Sequence, residues 1–299
     1  MKKTRFFLLG DVTTGLGAIV FAYYSMLGKN YLALGNKFAS NVIWMLIIAL
    51  MLCVFAIAAR NLKRTHRDFG YSLVGEIVLL LLFTGLTAYY ACTDFSHYFV
   101  IRGEREEIRK ELIGSIERAE RMFSEYELYA ENRKELYKRK LESIVDANRR
   151  GINTNKYIEC GFKNDEDDEA QANKKMFAIN VDLFPSNYPE MKQGYLDWLS
   201  NARNIIEHWK SLGTVNIVNE VEQKSNALRN ELKERSTVRQ RCEQANNFDP
   251  ELTTISGVRE KFGERRHGLD GLSPFSGIAI LLYGLMLMPY LFAWRSTKL

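Results

Sequence analysis

The feature that most constrains the fold is a long charged stretch, Phe99–Asp146, which contains no proline and repeats apolar residues at intervals of three and four. The repeat runs through Ile108, Leu112, Ile116 (or Ser115), Ala119, Phe123, Tyr126, Ala130, Tyr137, Leu141 and Ile144, with charged Arg133 as the one exception. A mean spacing of about 3.6 residues predicts one helix with a single apolar face. Such a length is typical of a coiled coil or stalk, and the apolar segment just before it predicts a helix that leaves a membrane without a break.

Four apolar segments approach the roughly 20 residues that a helix needs to cross a bilayer. They are, approximately, Val12–Leu27, Val42–Ala59, Leu73–Ala91 and Phe275–Trp294, of which the first is interrupted by polar residues. The sequence therefore predicts an all-α membrane protein with four transmembrane helices and an elongated helical or coiled-coil extramembrane domain between the third and the fourth. We expect a three-span anchor at 1–94, a helical stalk domain at 95–273, and a fourth span with a short cytoplasmic tail at 274–299.

The formal net charge of +5 comes from residues that flank the apolar segments. Of the 41 basic and 36 acidic residues, 30 basic and 32 acidic lie within 95–273, so this domain is nearly neutral, which argues against a nucleic-acid partner. Nine basic residues at the amino terminus, in the 60–70 loop and in the tail, against two in the 28–40 loop, predict cytoplasmic termini. The domain then faces the outside, a periplasm where the cell has one. If Val12–Leu27 does not span, the domain faces the other side.

Glycine and proline divide the domain into further elements. The first helix is expected to end at Gly151, and the acidic run Asp165–Glu169 is interpreted as a solvated loop. Partial alternation over Phe177–Phe184 predicts a short strand or an extended tether. Three more helices are expected, from about Pro189 to Gly213, from Thr214 to about Asn246, and from Asp249 to just before Gly268. We expect an antiparallel rod of 100–146 and 214–266, whose apolar face packs internally or against neighbouring copies.

The cysteines give one candidate cross-link. Cys53 and Cys92 lie in or beside apolar segments, whereas Cys160 and Cys242 are the two cysteines of the polar domain. Neither has the neighbouring cysteines or histidines of a zinc site. Two interpretations fit this pattern: a disulfide in an oxidising compartment, or two unrelated thiols.

The sequence contains none of the common catalytic motifs. It has no glycine-rich dinucleotide or phosphate-binding loop, no HExxH and no GxSxG. The four histidines are scattered, which favours packing or surface roles for them: His66, His97, His208 and His267. We therefore expect no enzymatic activity, no cofactor and no metal site.

Two acidic residues, Asp11 and Glu76, lie near the predicted cytoplasmic ends of apolar segments. Ionisable groups inside a membrane can mark an ion or proton path, as in an energising protein of the flagellar-stator or TolQ type. At interface depth an acid can instead stay hydrated, or complement the positive end of a helix. Both interpretations are open on the sequence.

The order of these parts resembles that of one known family. Its elements are Phe6–Leu27, Val42–Ala59, Leu73–Ala91, the charged helix from Arg102 and the last span at Pro274–Trp294. This arrangement, over the whole chain, is similar to TssN, a membrane component of the type VI secretion system of Bacteroidota. The resemblance implies a subunit of the trans-envelope complex in the inner membrane, which anchors the contractile apparatus beside other membrane and lipoprotein subunits.

These expectations describe a non-enzymatic scaffold in the bacterial inner membrane, with a periplasmic domain. We expect it to contact lipid, to form a homo-oligomer, and to bind other envelope or secretion-system subunits through the helical domain. Two alternatives are an ion-coupled energiser that uses Asp11 or Glu76, and a membrane sensor whose stalk transmits a shift through the third span.

Overall fold

The computed structural model describes residues 2–65, 71–152, 154–264 and 274–293. These residues form α-helices, one π-helical turn and connecting segments, with no strand among them, so the all-α fold class is confirmed. The helices are α1 (Lys2–Leu32), α2 (Phe38–Thr65), α3 (Tyr71–Tyr90), α4 (Ser96–Gly103), α5 (Arg105–Arg149), α6 (Thr154–Glu159), α7 (Asp168–Leu183), α8 (Tyr188–Glu207), α9 (Ser211–Thr237), α10 (Ser256–Gly263) and α11 (Pro274–Leu291).

The chain divides into two compact units, each built from segments that are distant in sequence. The first unit comprises Met1–Arg109, Trp209–Asn219 and Ser256–Leu299, and the second comprises Lys110–His208 and Glu220–Ile255. The domains expected from the sequence are instead three consecutive stretches of the chain, 1–94, 95–273 and 274–299.

Four apolar helices, α1, α2, α3 and α11, pack together in the first unit. The chain reverses between α1 and α2 through a turn in which Gly35 has a φ of 77°, a left-handed conformation that glycine adopts without strain. The hydroxyl of Thr14, early in α1, donates to the carbonyl oxygen of Met286, late in α11, at 3.0 Å. The hydroxyls of Thr84 in α3 and Tyr283 in α11 lie 3.0 Å apart. Neighbouring helices are thus tied by polar contacts within an otherwise apolar bundle.

Two helical stretches of the described chain are long and apolar enough to cross a membrane, Phe38–Arg64 and Leu73–Gly103. The apolar stretch of α11, Gly277–Leu291, is shorter, and α1 does not meet the same criterion. Two candidate spans are therefore present. Four transmembrane helices stay a prediction.

The passage from α3 to the long charged helix is interrupted, so the prediction of an unbroken helix is wrong. A π-helical turn, Ala91–Phe95, follows α3, and α4 ends at Gly103. At the next residue, Glu104, φ is −89° and ψ is 7°, outside the helical range, and α5 starts immediately after it. The π-helical turn lies against Gly28 of α1, where the two backbones are in direct contact. The spacing of apolar residues does not predict this contact, because the contact depends on a glycine of another helix, which has no side chain.

Aromatic residues pack α1, α4 and α10 together at the end of the bundle where α1 ends. The ring of Tyr31 lies 5.6 Å from that of Tyr98 and 5.2 Å from that of Phe262, measured between centroids. The Nε2 atom of buried His97 lies 3.0 Å from the carbonyl oxygen of Phe262. The amide of Asn219 donates to the carbonyl oxygen of Leu34 at 2.6 Å, which fixes the start of α9 on the turn after α1.

In the second unit, the apolar face of α5 is buried within the chain. Its residues from Leu112 to Ile144 that make up the predicted repeat are at most 5% exposed. Tyr137, Leu141 and Ile144 belong to a cluster that also contains Tyr157, Phe162 and Ile179 from the segments that follow. Helix α5 ends as predicted, with Gly151 at a φ of 72°. The face that the sequence left open between internal packing and a partner is therefore used internally.

Residues 165–184 differ from the prediction. The stretch Phe177–Phe184 is neither a strand nor a tether, because α7 continues to Leu183. Within the acidic run, the side chain of Asp167 accepts a hydrogen bond from the backbone N–H of Ala170 at 2.8 Å and caps α7, so these acids start a helix. The partial alternation of apolar and polar residues led to a wrong prediction, because Phe177 and Val181, one helical turn apart, are both exposed and do not mark a buried face.

The two expected boundaries between later helices are also wrong. Gly213 and Thr214 lie inside α9, which begins at Ser211 and ends at Thr237, well before the predicted Asn246. Residues 238–255 form no α-helix, and Asp249-Pro250 does not start one, since α10 begins at Ser256. The backbone of this segment is held instead by polar contacts, for example the N–H of Phe248 to the hydroxyl of Ser236 at 2.9 Å. The other end of the predicted fourth helix lies outside the described residues.

The contact at Gly28 predicts a specific effect of a single methyl group. In Gly28→Ala the new Cβ would lie 1.7 Å from the carbonyl oxygen of Asp94, a backbone atom that cannot move without shifting the π-helical turn. We expect a loss of at least about 2 kcal/mol of stability, measured as a lower apparent melting temperature of the full-length protein in detergent. Gly15→Ala on the same helix adds a methyl with no atom within 4 Å, and should melt at or slightly above wild type. Equal melting temperatures for the two variants would contradict the contact.

Candidate functional site

Two groups of buried polar side chains stand out, one in each unit. The bundle cluster lies between the apolar helices of the first unit and consists of Asp11, Arg60, Lys63, Glu76 and Tyr290. The Arg133 cluster lies in the second unit and consists of Arg133, Glu243, Tyr129 and the carbonyl groups of Ser236 and Val238.

Asp11 of the bundle cluster forms an ion pair with Arg60. The Nη1 atom of Arg60 lies 2.5 Å from Oδ1 of Asp11, and the arginine side chain is 2% exposed. Asp11 is early in α1 and Arg60 is late in α2, so the antiparallel packing of these helices brings the two charges to the same level. A charged side chain within an apolar bundle costs several kcal/mol, on the order of 3 kcal/mol on insertion scales, unless a partner offsets it. The pair therefore fixes the register of α1 on α2.

Glu76 is held by the opposite side of the bundle. The hydroxyl of Tyr290 in α11 donates to Oε1 of Glu76 in α3 at 2.6 Å. The ammonium group of Lys63 in α2 donates to the carbonyl oxygen of Tyr290 at 2.9 Å, and lies 4.3 Å from the centre of its ring. These contacts bring the end of α2, the start of α3 and the end of α11 together. Both acids that the sequence singled out are thus hydrogen-bonded or ion-paired to another helix.

The surface of the bundle is the reverse of that of a water-soluble helical bundle. Each of its four helices exposes large apolar residues, and among the most exposed are Leu16, Leu46, Leu50, Val74, Leu81, Ile280 and Leu281, between 57% and 67% accessible. The charged and hydroxyl groups of the bundle cluster lie between the helices, where Glu76 is 2% exposed. Exposed large apolar side chains on all four helices are typical of contact with lipid or with another protein.

The Arg133 cluster explains the one charged residue in the apolar repeat of α5. The guanidinium of Arg133 forms a two-pronged ion pair with Glu243, and each side chain is 1% exposed. It also donates to the carbonyl oxygens of Ser236 and Val238 and to the hydroxyl of Tyr129. Burial lowers the pKa of Arg133, but the hydrogen bond and the charge of Glu243 outweigh it and raise the pKa, so the group stays charged. The arginine ties α5 to the end of α9 and to the non-helical segment.

A second tie joins the same non-helical segment to the end of α6. Cys160 and Cys242, the candidate pair from the sequence, form a disulfide with their Cα atoms 5.3 Å apart. The hydroxyl of Tyr137 in α5 donates to the carbonyl oxygen of Arg241 at 3.2 Å, beside the disulfide. Burial raises the pKa of Tyr137 to about 12, so this hydroxyl keeps its proton at neutral pH. Cys53 and Cys92, in the first unit, are not disulfide-bonded.

Potential metal-binding side chains do not come together in the described part of the chain. No group of three or more histidine, cysteine, aspartate or glutamate side chains is placed to hold a metal ion there. His97 packs against Phe262, and Nδ1 of His208 lies 2.9 Å from the carbonyl oxygen of Asn204 in its own helix. His66 and His267 lie outside the described residues.

Sequence reasoning found Asp11, Glu76, Cys160 and Cys242 but missed Arg60, Arg133 and Glu243. Arg133 carried a usable signal, since a single charge on a long apolar face requires a buried partner of opposite sign. Glu243 could not be recognised as that partner, because it lies in a segment that was predicted to be helical to about Asn246 and is not helical in the structure. Comparison of the chain with family models, with curated proteins and with solved structures found no match.

The Arg133 ion pair predicts an asymmetric response to substitution. Arg133→Met leaves Glu243 buried without its partner, and we expect a loss of about 3–5 kcal/mol of stability. The double variant Arg133→Met/Glu243→Leu removes both charges and should regain part of that loss, though the carbonyl groups of Ser236 and Val238 still lose a donor. The control is Arg139→Met, which breaks an exposed pair with Glu135 on the same helix and should cost less than about 1 kcal/mol. Urea unfolding of the full-length protein measures the stability of all three variants. Similar losses for Arg133→Met and Arg139→Met would contradict the proposed role of the ion pair.

Proposed function

We propose that this protein is an integral membrane scaffold subunit of a trans-envelope complex, with all four apolar helices crossing the inner membrane. The observation that carries the proposal is the reversed polarity of the bundle, with apolar side chains outside and paired charges inside. In water this surface would favour aggregation, whereas in a bilayer it is satisfied by lipid, and the inward charges are satisfied by each other.

Helices α1 and α11, which do not meet the criterion for a candidate span, are long enough for this role. Helix α11 has 18 residues and α1 has 31, which at 1.5 Å per residue correspond to roughly 27 Å and 46 Å. A bilayer core is about 30 Å thick. Helix α1 carries Asp11 within its apolar part, but the charge is paired with Arg60 and does not face lipid alone. Both helices are therefore compatible with a span, although neither meets the criterion of length and hydropathy that Phe38–Arg64 and Leu73–Gly103 meet.

The disulfide supports the placement of the second unit outside the cytoplasm. Structural disulfides persist in oxidising compartments such as the bacterial periplasm and are rare in the reducing cytosol. Cys160 and Cys242 would share that side, in agreement with the orientation expected from the basic residues of the loops. Cytoplasmic termini and a periplasmic domain at 95–273 are accordingly part of the proposal.

The assignment to a secretion complex rests on the order of segments. Three spans, a helical domain and a final span resemble TssN, and a role in anchoring the contractile apparatus of a type VI secretion system follows from that resemblance. A second unit held by a disulfide and a buried ion pair suits a subunit that presents a fixed surface to envelope partners. We include a homo-oligomer in the proposal, since the resemblance places the protein within a multi-subunit membrane assembly.

The orientation can be measured in cells. A reporter enzyme that is active only in the periplasm should be active when fused after Gly151 and inactive when fused after Arg64. In parallel, alkylation of thiols in rapidly acid-quenched cells should label Cys53 and Cys92 after denaturation, whereas Cys160 and Cys242 should react only after reduction. An inactive Gly151 fusion together with an active Arg64 fusion would overturn the proposed orientation, as would reduced Cys160 and Cys242 in the quenched cells.

An ion-coupled energiser is the second candidate, because two acids do lie between the apolar helices. It requires Asp11 or Glu76 to exchange a proton, whereas each is engaged by another helix. Glu76→Gln keeps an oxygen that accepts from Tyr290 and removes the titratable group. The exchange Asp11→Arg/Arg60→Asp keeps an ion pair but moves its acid to α2. If the protein is a scaffold, secretion should stay within about twofold of wild type in both variants, while an energiser should lose secretion although the protein accumulates normally. Asp11→Lys, which places two positive charges together, is the control for a broken bundle.

A further inference from the structure

Two basic side chains of the second unit approach the same glycine beside the disulfide. A Cβ atom added to Gly161 would lie 3.2 Å from Nζ of Lys175 and 3.4 Å from Nη1 of Arg241, so the two charged groups lie around one point. We propose that they form a binding site for a carboxylate in an acidic segment of a partner protein. The inference rests on the proposed function, a scaffold that presents this unit to envelope partners.

The fold brings the two cations together from distant parts of the chain. Gly161 directly follows Cys160, and Arg241 directly precedes Cys242, so the disulfide holds these two backbone segments side by side. From α7, the ammonium group of Lys175 donates to the carbonyl oxygen of Gly161 at 3.2 Å. Because a covalent bond and a hydrogen bond already fix the arrangement, less conformational freedom is lost when a ligand binds.

Within the described chain, no carboxylate pairs with either cation. The guanidinium group of Arg241 forms no ion pair there, and the ammonium group of Lys175 contacts only a carbonyl group and, at 5.0 Å, the ring of Phe162. Glu243 is two residues after Arg241 but is bound by Arg133. The charges of the two cations are therefore available to an anion from outside the chain.

Repulsion between the two cations favours such an anion. Burial lowers the pKa of Lys175, and the positive charges of Arg241 and Lys174 lower it further. A carboxylate between the cations would add two attractive interactions that offset this repulsion. The flat fork of an arginine matches the two oxygens of a carboxylate, and a lysine adds a compact charge. The site is accessible, since Arg241 is exposed.

An exposed apolar residue next to the site favours a peptide over a free ion. Ile158 is 55% exposed, and its carbonyl oxygen accepts from the backbone N–H of Gly161 at 2.8 Å. A peptide can place an acidic side chain at the cations and a neighbouring apolar side chain on Ile158. An inorganic anion would use the cations alone. Polar and apolar contacts side by side are typical of protein interfaces.

The oxidised full-length protein in a non-ionic detergent allows a direct test at low ionic strength. The probe is an acetylated, amidated hexapeptide of alternating leucine and glutamate, and its control has glutamine in place of glutamate. We expect calorimetry to show binding of the acidic peptide and at least tenfold weaker binding of the control. In Arg241→Gln the dissociation constant of the acidic peptide should rise about fivefold, the upper end of what an exposed ion pair contributes. Arg139→Gln, which removes an exposed arginine of α5, should bind as wild type.

Three results would overturn the proposal: equal affinities of the two peptides, an unchanged dissociation constant in Arg241→Gln, or complete displacement of the acidic peptide by an equal concentration of inorganic phosphate. The last result would assign the site to a free ion. Should Arg241→Gln fail to fold, carbodiimide coupling of the acidic peptide to the wild type decides. Preferential coupling to Lys175 supports the site, and coupling without preference among the exposed lysines contradicts it. The reporter fusions after Gly151 and Arg64 are read independently, so failure of this site and failure of the scaffold proposal are distinguishable.

Discussion

Buried charge is the constraint on which both units depend, because Arg60 and Arg133 lie inside the protein and each meets a carboxylate of another element. In the first unit, Asp11 and Arg60 must lie at the same level, which leaves α1 and α2 one register. In the second unit, Arg133 requires Glu243 and two backbone carbonyl groups, which draws the end of α9 and the segment after it onto α5. Apolar packing alone would allow two helices to shift by one turn relative to each other, whereas these ion pairs hold them in one register.

The same interactions bear on the proposed role as a scaffold. A subunit that presents a surface to partners benefits when its non-helical segments do not move relative to its helices. Residues 238–255 have no helical hydrogen bonding of their own, yet the Arg133 cluster and the Cys160–Cys242 disulfide fasten this segment at several points. The two clusters of the candidate site therefore act as structural ties between helices and the non-helical segment. On the proposed membrane insertion, the exposed apolar side chains of the bundle face lipid.

Much of the fold follows from the spacing of apolar residues along the chain. The wrong predictions have a common physical cause, which is contact between residues that are distant in the sequence. The apolar face of α5, its end at Gly151 and the positions of the apolar helices are local properties of the sequence, and they agree with the structure. The π-helical turn before α4, the continuation of α7 through Phe177 and the end of α9 at Thr237 depend on contacts between distant residues. Gly28 against Asp94 and Arg133 with Glu243 are such contacts, and no spacing rule within a single helix encodes them. For the same reason the two acids of the bundle were recognisable, while their partners Arg60 and Tyr290 were not.

The position of the disulfide has a consequence for biogenesis. Cys160 and Cys242 are the two cysteines of the second unit, whereas Cys92, at the outer end of the proposed third span, belongs to the first unit. Cys160 reaches an oxidising compartment first on the proposed topology, and its partner Cys242 follows 82 residues later, after α7, α8 and α9. On the proposed topology the bond therefore closes only when the fourth apolar helix is about to enter the membrane. Oxidation would then report that export of the domain is nearly complete, and would lock it as the last span arrives.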